Sequence, residues 1–577
     1  MDSRTAAHVL SRIAALLELS GGNPFKARAY DGAARALRAI DTDDLAPLLD
    51  SGAIAELSGV GPATLGVIRE LVETGESSYL ERLRASIPEG LLELLRLPRL
   101  GGAKIHALHE ALGITSLDEL EEAARSGRLA TVKGFGPKSV QAILGGIEKL
   151  RAAGDLMLLP AALAEAARLR ASVAGHPDVA RAEVAGAVRR NVEVVRDIDI
   201  VAACREDTNP DAVVRSMAGS PGVRRVAGRG PGAATITYVD GVCLDLRCVH
   251  EGDFAIAFWR ATGSEAHRAR IAERAAERGF VLDGDTLGTA AGGQLAIADE
   301  EDLYLALGLP WIPPELRESG DEGAAARDDA LPDLLRDEQI RGVIHCHTRY
   351  SDGKASVAEM AAAARERGWS YIGISDHSQA AFYAGGLKRD DVLRQHEEID
   401  ALNASLGGSF TVLKGIEADI LADGRLDYDE ELLDRFDFVV GSVHNRFGQN
   451  GAPMTERILR ALDDPHLTVL AHPTGRLLLS RDPYDFDMIA MLEKAAERGV
   501  AVELNADPHR LDLDWRVLRD AKRLGVTIAI GPDAHSTRGL DNTALGVLMA
   551  RKGWLSAGDV LNTRDAAGVL AFARKGR

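Results

Sequence analysis

Hydrophobic positions divide the chain into three regions with different periodicities. Residues 1–150 carry apolar residues at helical spacing, interrupted by glycine. Residues 151–312 begin with a long helical pattern, continue with the strand-like runs "VRDIDIVAAC" and "AATITYVDGVCLDLRCV", and return to helical spacing. From residue 340, short apolar runs alternate with helical stretches such as "SVAEMAAAARERG". The pattern therefore predicts a helical region, a mixed α+β region and a regular β-then-α region.

The helical region repeats one arrangement three times, at 57–75, 97–113 and 132–147: an apolar residue, a glycine turn and an amphipathic helix. A glycine turn before a helix exposes backbone N–H groups that, with the helix dipole, suit a phosphate. One copy fits an ordinary packing turn equally well. Three copies favour helix-hairpin-helix contacts with DNA, although the middle copy is the weakest. The candidate DNA-binding residues are Gly59, Gly61, Lys133, Gly134, Gly136 and Lys138.

The β-then-α region contains seven candidate strands, from "IRGVIHCH" to "VTIAIGPDAH", which predict a barrel or a doubly wound sheet. Polar residues cluster at the carboxyl ends of these strands, the edge at which active sites of β/α barrels form. A lone histidine there is usually structural, but histidine at five strand ends and glutamate at a sixth predict a metal centre. The candidate ligands are His345, His347, Asp352, His377, Glu417, His444, His472, Asp533 and His535. Such a set suits two or three divalent ions, Mn²⁺, Zn²⁺ or Fe²⁺, and phosphoester hydrolysis.

Composition leaves this interpretation open. The formal net charge of the 577-residue chain is −19, yet residues 1–150 hold 17 basic and 20 acidic residues, so local phosphate contacts are not excluded. The four cysteines lack C-x-x-C spacing and no apolar run reaches the length of a membrane span, which favours a cytoplasmic, nucleoid-associated protein without membrane contact. The acidic run 313–337 is expected to be a linker with at most a turn of helix.

The motifs "HCHTRYSDG", "SDHS", "GIEADI", "GSVH", "AHPTGR" and "PDAHS" resemble those of the PHP (polymerase and histidinol phosphatase) domain. The resemblance implies a distorted (βα)7 barrel with a trinuclear site. One metal would be held by His345, His347, Glu417 and Asp533. A second would share Glu417 with His444 and His472, and a third would take Asp352, His377 and His535. Arg476 is a candidate phosphate clamp, although a solvated arginine fits it equally well.

The stretches "AGAVRRNVEVVRDIDIV" and "VCLDLRCV" resemble the palm of family-X DNA polymerases, the polymerase beta relatives. The resemblance implies that Asp197, Asp199 and Asp245 are catalytic and hold Mg²⁺ or Mn²⁺ for nucleotidyl transfer. It also implies that Gly186, Arg190, Gly263 and Ser264 bind the nucleotide.

The chain departs from this family's pattern around the nucleotide. Ala187 replaces the usual serine after Gly186, Arg260 and Ala261 replace an aromatic pair that packs on the sugar, and Arg268 replaces an asparagine. Losing one charged-phosphate hydrogen bond costs roughly 1.5–3 kcal/mol. We therefore expect weakened nucleotide binding and intact metal ligands.

The whole chain resembles the bacterial PolX family of DNA repair enzymes. The implied fold is multidomain: a helix-hairpin-helix α-helical N-terminal region, a polymerase beta-like α+β palm and thumb, and the PHP barrel. The expected domains are an N-terminal DNA-binding domain at 1–80, fingers at 81–152, palm at 153–255, thumb at 256–315, linker at 316–338 and PHP domain at 339–577.

The expected function of such a chain is gap-filling DNA polymerisation combined with a metal-dependent 3′-5′ exonuclease or phosphoesterase. Its partners would be gapped, nicked or 3′-end DNA and dNTPs, and it is expected to be a monomer. One alternative is a PHP nuclease whose palm is only a DNA-binding platform. Another is a small-molecule phosphatase of the histidinol-phosphatase type.

Overall fold

The computed structural model describes the chain except residues 1–2, 22–23, 41, 43, 58, 76, 86–90, 92–93, 95–96, 98–99, 154–155, 221, 239–240, 290–291 and 575–577. The chain forms two compact units, residues 1–154 and 155–577. Within the described part, every helix is too short or too polar to cross a membrane.

The first unit is helical, and its longer helices bury one apolar face each. In the first helix the inward residues Ala6, Leu10, Ile13 and Leu17 are at most 5% exposed and follow the helical repeat. The described helices are Ser3–Leu19, Pro24–Ile40, Ala46–Asp50, Pro62–Thr74, Ser78–Ala85, Gly102–Leu112, Leu117–Arg125 and Pro137–Ala153, with 3-10 turns at Ala53–Glu56 and Arg128–Thr131.

Two of the three glycine turns share one geometry. Gly59 and Gly134 have φ values of 98° and 97°, which only glycine adopts readily, and each precedes a helix that begins at proline. The middle turn is different, because a Cβ on Gly102 would lie 2.4 Å from the carbonyl oxygen of Ala15. That glycine permits close helix packing, which explains why the middle copy matches the repeat poorly.

The second unit begins with a five-stranded mixed sheet, the central sheet, in the order β2-β4-β7-β6-β5. Its strands are β2 Val179–Val184, β4 Ile198–Cys204, β5 Val223–Gly228, β6 Ala233–Tyr238 and β7 Cys243–His250, and β1 Met157–Leu158 pairs separately with β3 Val194–Val195. Helices Leu159–Ala174 and Pro210–Ala218 pack on one face, where Ile198, Ile200 and Ala202 are buried. Val201 and Ala203 face the opposite side, against helix Phe254–Thr262.

A helical layer follows the sheet and contains one buried ion network. Its elements are helices Phe254–Thr262, Glu265–Glu277, Glu300–Ala306 and Asp321–Arg327 and the small sheet β8 Phe280–Asp283, β9 Thr286–Thr289 and β10 Gln294–Leu295. Glu300 accepts hydrogen bonds from Arg189 at 2.8 and 2.7 Å, and from Arg317 at 2.5 and 3.1 Å. Burial raises the pKa of Glu300, but these two arginines outweigh it and lower the pKa to about 2.

The acidic run 313–337 is packed rather than a bare linker, so the expectation of at most one helical turn was wrong. Arg317 and Glu322 are 0% exposed, and residues Asp321–Arg327 form a helix. Glu322 binds Nδ1 of the buried His267 at 2.7 Å. Some acidic residues of this run are partners of buried basic groups. Composition alone does not distinguish such residues from acidic residues that are exposed to solvent.

The C-terminal half is a nearly closed barrel of seven parallel strands in sequential order. The strands are β11 Gly342–Val343, β12 Tyr371–Ile374, β13 Thr411–Asp419, β14 Phe438–Ser442, β15 Leu467–Leu470, β16 Ala501–Asn505 and β17 Ile528–Gly531. A parallel bridge between Cys346 and Ala534 joins the two ends of the sheet. The surrounding helices are Val357–Glu366, Arg389–Leu406, Glu430–Leu433, Ala452–Leu462, Met488–Arg498, Trp515–Arg523, Thr543–Lys552 and Ala566–Ala573. The fold class expected from the sequence is thus confirmed, including all seven strands.

The barrel packs against the central sheet and its helical layer through charged contacts. Lys552 is 1% exposed and donates to the carbonyl oxygen of Arg190 at 2.8 Å and to Glu318. Trp515 Nε1 donates to Glu193 Oε2 at 2.8 Å. These buried polar contacts hold the two parts of the second unit together.

The Glu300 network yields a prediction about stability. Glu300→Gln leaves the buried guanidinium of Arg317 and the partly buried guanidinium of Arg189 without their anion, so we expect a loss of about 3–5 kcal/mol at neutral pH. Because the pKa of Glu300 is about 2 in the folded protein against an ordinary 4.5, its contribution is present above pH 4.5 and is lost as the pH falls toward 2. Calorimetry from pH 7 downward should show the gap between wild type and Glu300→Gln narrow below pH 4.5. The exposed neighbour Glu301 provides the control variant Glu301→Gln; an equal effect of both variants would contradict the prediction.

Candidate metal centres

Glu417, at the carboxyl ends of the barrel strands, is a buried carboxylate that is 1% exposed. Histidine nitrogens from four other strand ends approach its two oxygens. The distances are 3.5 Å to His345 Nε2, 3.6 Å to His347 Nε2, 2.7 Å to His377 Nδ1, 3.2 Å to His444 Nε2 and 3.1 Å to His472 Nε2. A carboxylate inside a ring of imidazoles is the donor arrangement of a centre with several divalent ions.

The remaining predicted ligands complete the ring. Asp533 Oδ1 lies 3.2 Å from His347 Nε2, and His535 Nε2 lies 3.3 Å from Asp352 Oδ1. Four groups of donor atoms lie close enough to share an ion, and together they include all nine predicted ligands. The groups are His347, Asp352, His377 and His535; His345, Glu417 and His472; His345, His347 and Asp533; and His377, Glu417 and His444.

Several buried nitrogen atoms of the ring form no hydrogen bond of acceptable geometry. They include Nε2 of His345 and both ring nitrogens of His347. Buried polar atoms are rarely left unsatisfied, because their desolvation is not repaid. Unpaired lone pairs directed at a common centre are satisfied by cations, so the residues present fit divalent metals.

The surroundings of the ring keep its central carboxylate ionised. Burial raises the pKa of Glu417, but His444, His377 and His345 outweigh it and hold the pKa well below its usual value. Burial lowers the pKa of His472 to about 3, so the imidazole of His472 remains neutral and able to bind a metal at neutral pH.

Two carboxylates that sequence reasoning missed orient the ring. Glu503 Oε1 lies 2.5 Å from His345 Nδ1, and Asp419 Oδ1 lies 2.7 Å from His444 Nδ1. A carboxylate on the far nitrogen fixes the tautomer of a metal-bound imidazole. The period of two along a strand could have found Asp419, which lies on the same face as Glu417 in "GIEADI". Glu503 lies in β16, the one strand to which no ligand was assigned.

Local backbone strain occurs at two of the predicted ligands. His472 and Asp533 have φ values of 27° and 49°, in the left-handed region that residues other than glycine rarely occupy. Such conformations persist where surrounding contacts impose them, and they concentrate at functional sites. The backbone amide of His472 donates to Glu503 at 2.7 Å, which fixes this unfavourable turn.

A cleft of about 350 Å³ opens onto the ring beside Asp533 and His535, and Arg510 lines it. Arg510 Nε lies 3.5 Å from Asp533 Oδ2, and its side chain is 20% exposed. Arg476, the clamp considered from the sequence, is instead 9% exposed. It bonds to Asp514 and donates to the carbonyl oxygens of Arg510 and Leu511. Arg476 therefore braces the loop that carries Arg510, and neither sequence-based reading of it holds.

A second carboxylate cluster lies on the central sheet. Asp199 in β4 pairs in register with Asp245 in β7, and Asp197 precedes Asp199 on the same face. Burial, and then the charges of Asp197 and Asp245, raise the pKa of Asp199 to about 7. Thr235 donates to Asp245 at 2.6 Å, and Arg229 pairs with Asp245 at 2.5 Å. Crowded carboxylates of this kind are relieved by a divalent cation.

Gly186 is required by this cluster. A Cβ at that position, where φ is +60°, would lie 1.7 Å from Asp199 Oδ2. The glycine at the head of "GAVRRNVEVVRDIDIV" thus makes room for the second aspartate.

The predicted nucleotide-binding residues are only partly arranged around the carboxylates. Asp199, Asp245 and Gly263 line a cavity of about 440 Å³ that also holds Arg260 and Arg268. Arg190 instead donates to Glu318 at 3.0 Å and to the carbonyl oxygen of Thr262 at 2.6 Å. The hydroxyl of Ser264 accepts from the amide of His267 as a helix cap and donates to the Glu318 carbonyl oxygen at 2.6 Å.

All six predicted DNA-binding residues are exposed on the first unit. They are Gly59, Gly61, Lys133, Gly134, Gly136 and Lys138. Gly61 is the N-cap of helix Pro62–Thr74, and Gly136 immediately precedes helix Pro137–Ala153.

Family models match four parts of the chain: a helix-hairpin-helix domain at residues 1–77, a SAM-like helix-hairpin-helix tandem at 91–149, the DNA polymerase beta thumb at 257–318 and the PHP domain at 344–507. The DNA polymerase/3′-5′ exonuclease PolX of Bacillus subtilis (strain 168) is 36% identical over 578 residues, which covers 100% of both chains. A probable phosphatase of Caldicellulosiruptor saccharolyticus is 29% identical over 202 residues, 33% of this chain and 78% of its own. One from Clostridium acetobutylicum is 31% identical over 134 residues, 22% and 52% respectively.

The ring geometry predicts how the barrel responds to loss of its central carboxylate. Glu417→Gln removes the charge shared by five histidines at nearly constant shape, so we expect most of the barrel's metal to be lost. Elemental analysis of the purified, dialysed protein measures this. Glu430→Gln, at an exposed position of the same barrel, should retain the metal. Unchanged metal content in Glu417→Gln would contradict the assignment.

Proposed function

Because the chain belongs to the bacterial PolX family, we propose that it processes DNA 3′ ends in the barrel and adds nucleotides at the central sheet. The observation that carries the proposal is the ring of imidazoles around Glu417, in a chain that also has a polymerase beta thumb and helix-hairpin-helix domains.

The barrel would hold two or three divalent ions, Mn²⁺, Zn²⁺ or Fe²⁺, through its nine predicted ligands. Bound there, such ions supply an activated water and stabilise the oxygens of a phosphoryl displacement. The chain's own residues position these ligands: Glu503 orients His345, and Asp419 orients His444. Arg510, at the cleft, would bind the phosphodiester through a charge-assisted hydrogen bond.

The central sheet would hold Mg²⁺ or Mn²⁺ through Asp197, Asp199 and Asp245, with dNTPs as substrates. Support comes from the pairing of Asp199 with Asp245 and from the adjoining cavity. In this arrangement Arg190 and Ser264 are engaged with residue 318, and Ala187 has no hydroxyl. We therefore propose a polymerase that retains its metal ligands but binds the incoming nucleotide weakly.

Gapped, nicked or 3′-end DNA would be the substrate, bound through phosphate contacts at the turns around Gly59, Gly61, Gly134 and Gly136, with Lys133 and Lys138 adding charge. We propose that the protein acts as a monomer at the nucleoid in the cytoplasm. The full-length match to a polymerase/exonuclease favours this function over a DNA-binding platform with a nuclease, and over a small-molecule phosphatase.

Two substitutions should separate the activities. Asp197→Ala should abolish primer extension on gapped DNA with Mg²⁺ or Mn²⁺ and preserve removal of 3′-terminal nucleotides, since it leaves the barrel untouched. His345→Ala should have the opposite effect. Labelled primers with and without dNTPs report both activities. If wild type extends no primer at any dNTP concentration, the polymerase half of the proposal is wrong; if His345→Ala still removes nucleotides, the barrel is not the nuclease.

Arg510 supplies a quantitative test of the cleft. Loss of a charge-assisted hydrogen bond to phosphate costs about 1.5–3 kcal/mol, so Arg510→Ala should lower kcat/KM for 3′-nucleotide removal about 10- to 150-fold. Arg510→Lys should recover part of this. Arg425→Ala, at an arginine of the same barrel that is 67% exposed, is the matched control. A wild-type rate for Arg510→Ala would remove this residue from the site.

A further inference from the structure

Two adjacent aromatic side chains are exposed to solvent near the predicted metal ligands of the barrel. Phe382 is 85% exposed and Tyr383 is 63% exposed, and their ring centroids are 6.0 Å apart at 79°. They form the 3-10 turn Phe382–Ala384. Large apolar rings are seldom left in solvent without a partner to bind, and neighbouring exposed rings form a patch rather than scattered surface positions.

The backbone of this turn is fixed to the ring. Beyond β12 the chain passes His377, makes the turn and returns to Leu387, whose amide donates to the His377 carbonyl oxygen at 2.8 Å. A Cβ on Gly386 would lie 1.9 Å from the Ser378 carbonyl oxygen, so the return strand lies directly against the outgoing one. Tyr428 further anchors the turn through a hydrogen bond to Leu387. The backbone that carries the aromatic pair is therefore held against the segment of a predicted metal ligand.

The turn also borders a second predicted ligand. A Cβ on Gly385 would lie 3.4 Å from the carbonyl oxygen of Ser351, the residue before Asp352. The turn that carries the aromatic pair therefore lies against both the segment of His377 and the segment of Asp352.

The carboxylates of the site affect the pKa of the Tyr383 hydroxyl. Partial burial, then the carboxylates of Asp419 and Glu417, raise the pKa of Tyr383 to about 12, and Arg510 acts in the opposite direction. Tyr383 therefore lies within electrostatic reach both of the ring and of the arginine that lines the cleft.

We propose that Phe382 and Tyr383 form a stacking platform for the terminal base of a DNA strand whose last phosphodiester lies in the metal ring. Aromatic faces bind any base, so the platform requires an unpaired 3′ end without selecting a sequence. In this arrangement Arg510 binds the phosphate and the platform holds the base, while the nine predicted ligands would hold the metals beside the phosphodiester. This inference rests on the proposed nuclease function and names the part of the substrate that the site recognises.

The test compares a normal oligonucleotide with one that ends in a reduced abasic sugar. Stacking changes binding about 5- to 150-fold per base, so Phe382→Ala combined with Tyr383→Ala should lower kcat/KM on the normal strand by that factor, mainly through KM. The double variant and the wild type should hydrolyse the abasic-ended strand at the same rate, because that strand has no terminal base to stack. Phe382→Trp and Tyr383→Phe keep the rings and should retain activity.

Ile489→Ala is the matched control, since this apolar residue of the same barrel is also exposed, at 42%. Equal losses on both substrates, or no loss on the normal strand, would overturn the platform. Metal content must stay at the wild-type level in every variant, which separates stacking from damage to the ring.

A binding experiment keeps the platform testable if the nuclease function fails. A single strand ending in 2-aminopurine, joined through a phosphorothioate that resists hydrolysis, is mixed with the metal-loaded protein. Quenching of its fluorescence by wild type, lost in the double variant, supports the platform even if neither oligonucleotide is cleaved. Identical fluorescence with wild type and the double variant would overturn it.

Discussion

Glu417 holds a negative charge where water has almost no access, and the architecture of the barrel follows from that constraint. A buried carboxylate is tolerated only when cations or strong hydrogen-bond donors surround it. The chain supplies imidazoles that follow four other strands of the barrel, so the carboxylate is satisfied only when those strand ends meet. Closure of the sheet at Cys346 and Ala534 brings the first and last strands into that arrangement. We therefore expect folding of the barrel to be coupled to binding of metal.

The same logic links the barrel to the polymerase half. Lys552 belongs to a barrel helix, yet it is buried and bonds to Glu318 and to the backbone of Arg190. Glu318 in turn binds the guanidinium of Arg190. The position of a predicted triphosphate ligand thus depends on a lysine from the hydrolytic domain. A buried lysine without its carboxylate is costly, so the two domains share one framework in this region.

The sequence was sufficient to predict the parts that repeat. Strand alternation and polar residues at strand ends predict the barrel and nine candidate ligands, which the fold brings together, because each signal recurs at several strands. Contacts that occur only once could not be predicted from the sequence. Arg476 and Arg510 are both arginines in loops, and only the fold shows that Arg476 braces the backbone while Arg510 lines the cleft. The run 313–337 looked like a linker because composition does not show that Arg317 and Glu322 have buried partners. Glu503 was missed because its role is to orient His345, and no pattern within its own strand indicates that.

The residues that line the cavity beside Asp199 differ from those expected at a polymerase site of this family. Relatives are expected to place an aromatic pair where this chain has Arg260 and Ala261, and both residues line the cavity together with Arg268. Aromatic rings discriminate a sugar by its shape, whereas a guanidinium attracts phosphate at many orientations. We therefore expect that replacing packing with charge retains electrostatic attraction for a triphosphate and removes the contact that would distinguish the ribose 2′ position. The metal carboxylates are unaffected, because Gly186 still leaves the space that Asp199 occupies. The three predicted metal-binding aspartates thus lie together, whereas the predicted sugar-binding surface carries Arg260 and Ala261 in place of aromatic rings.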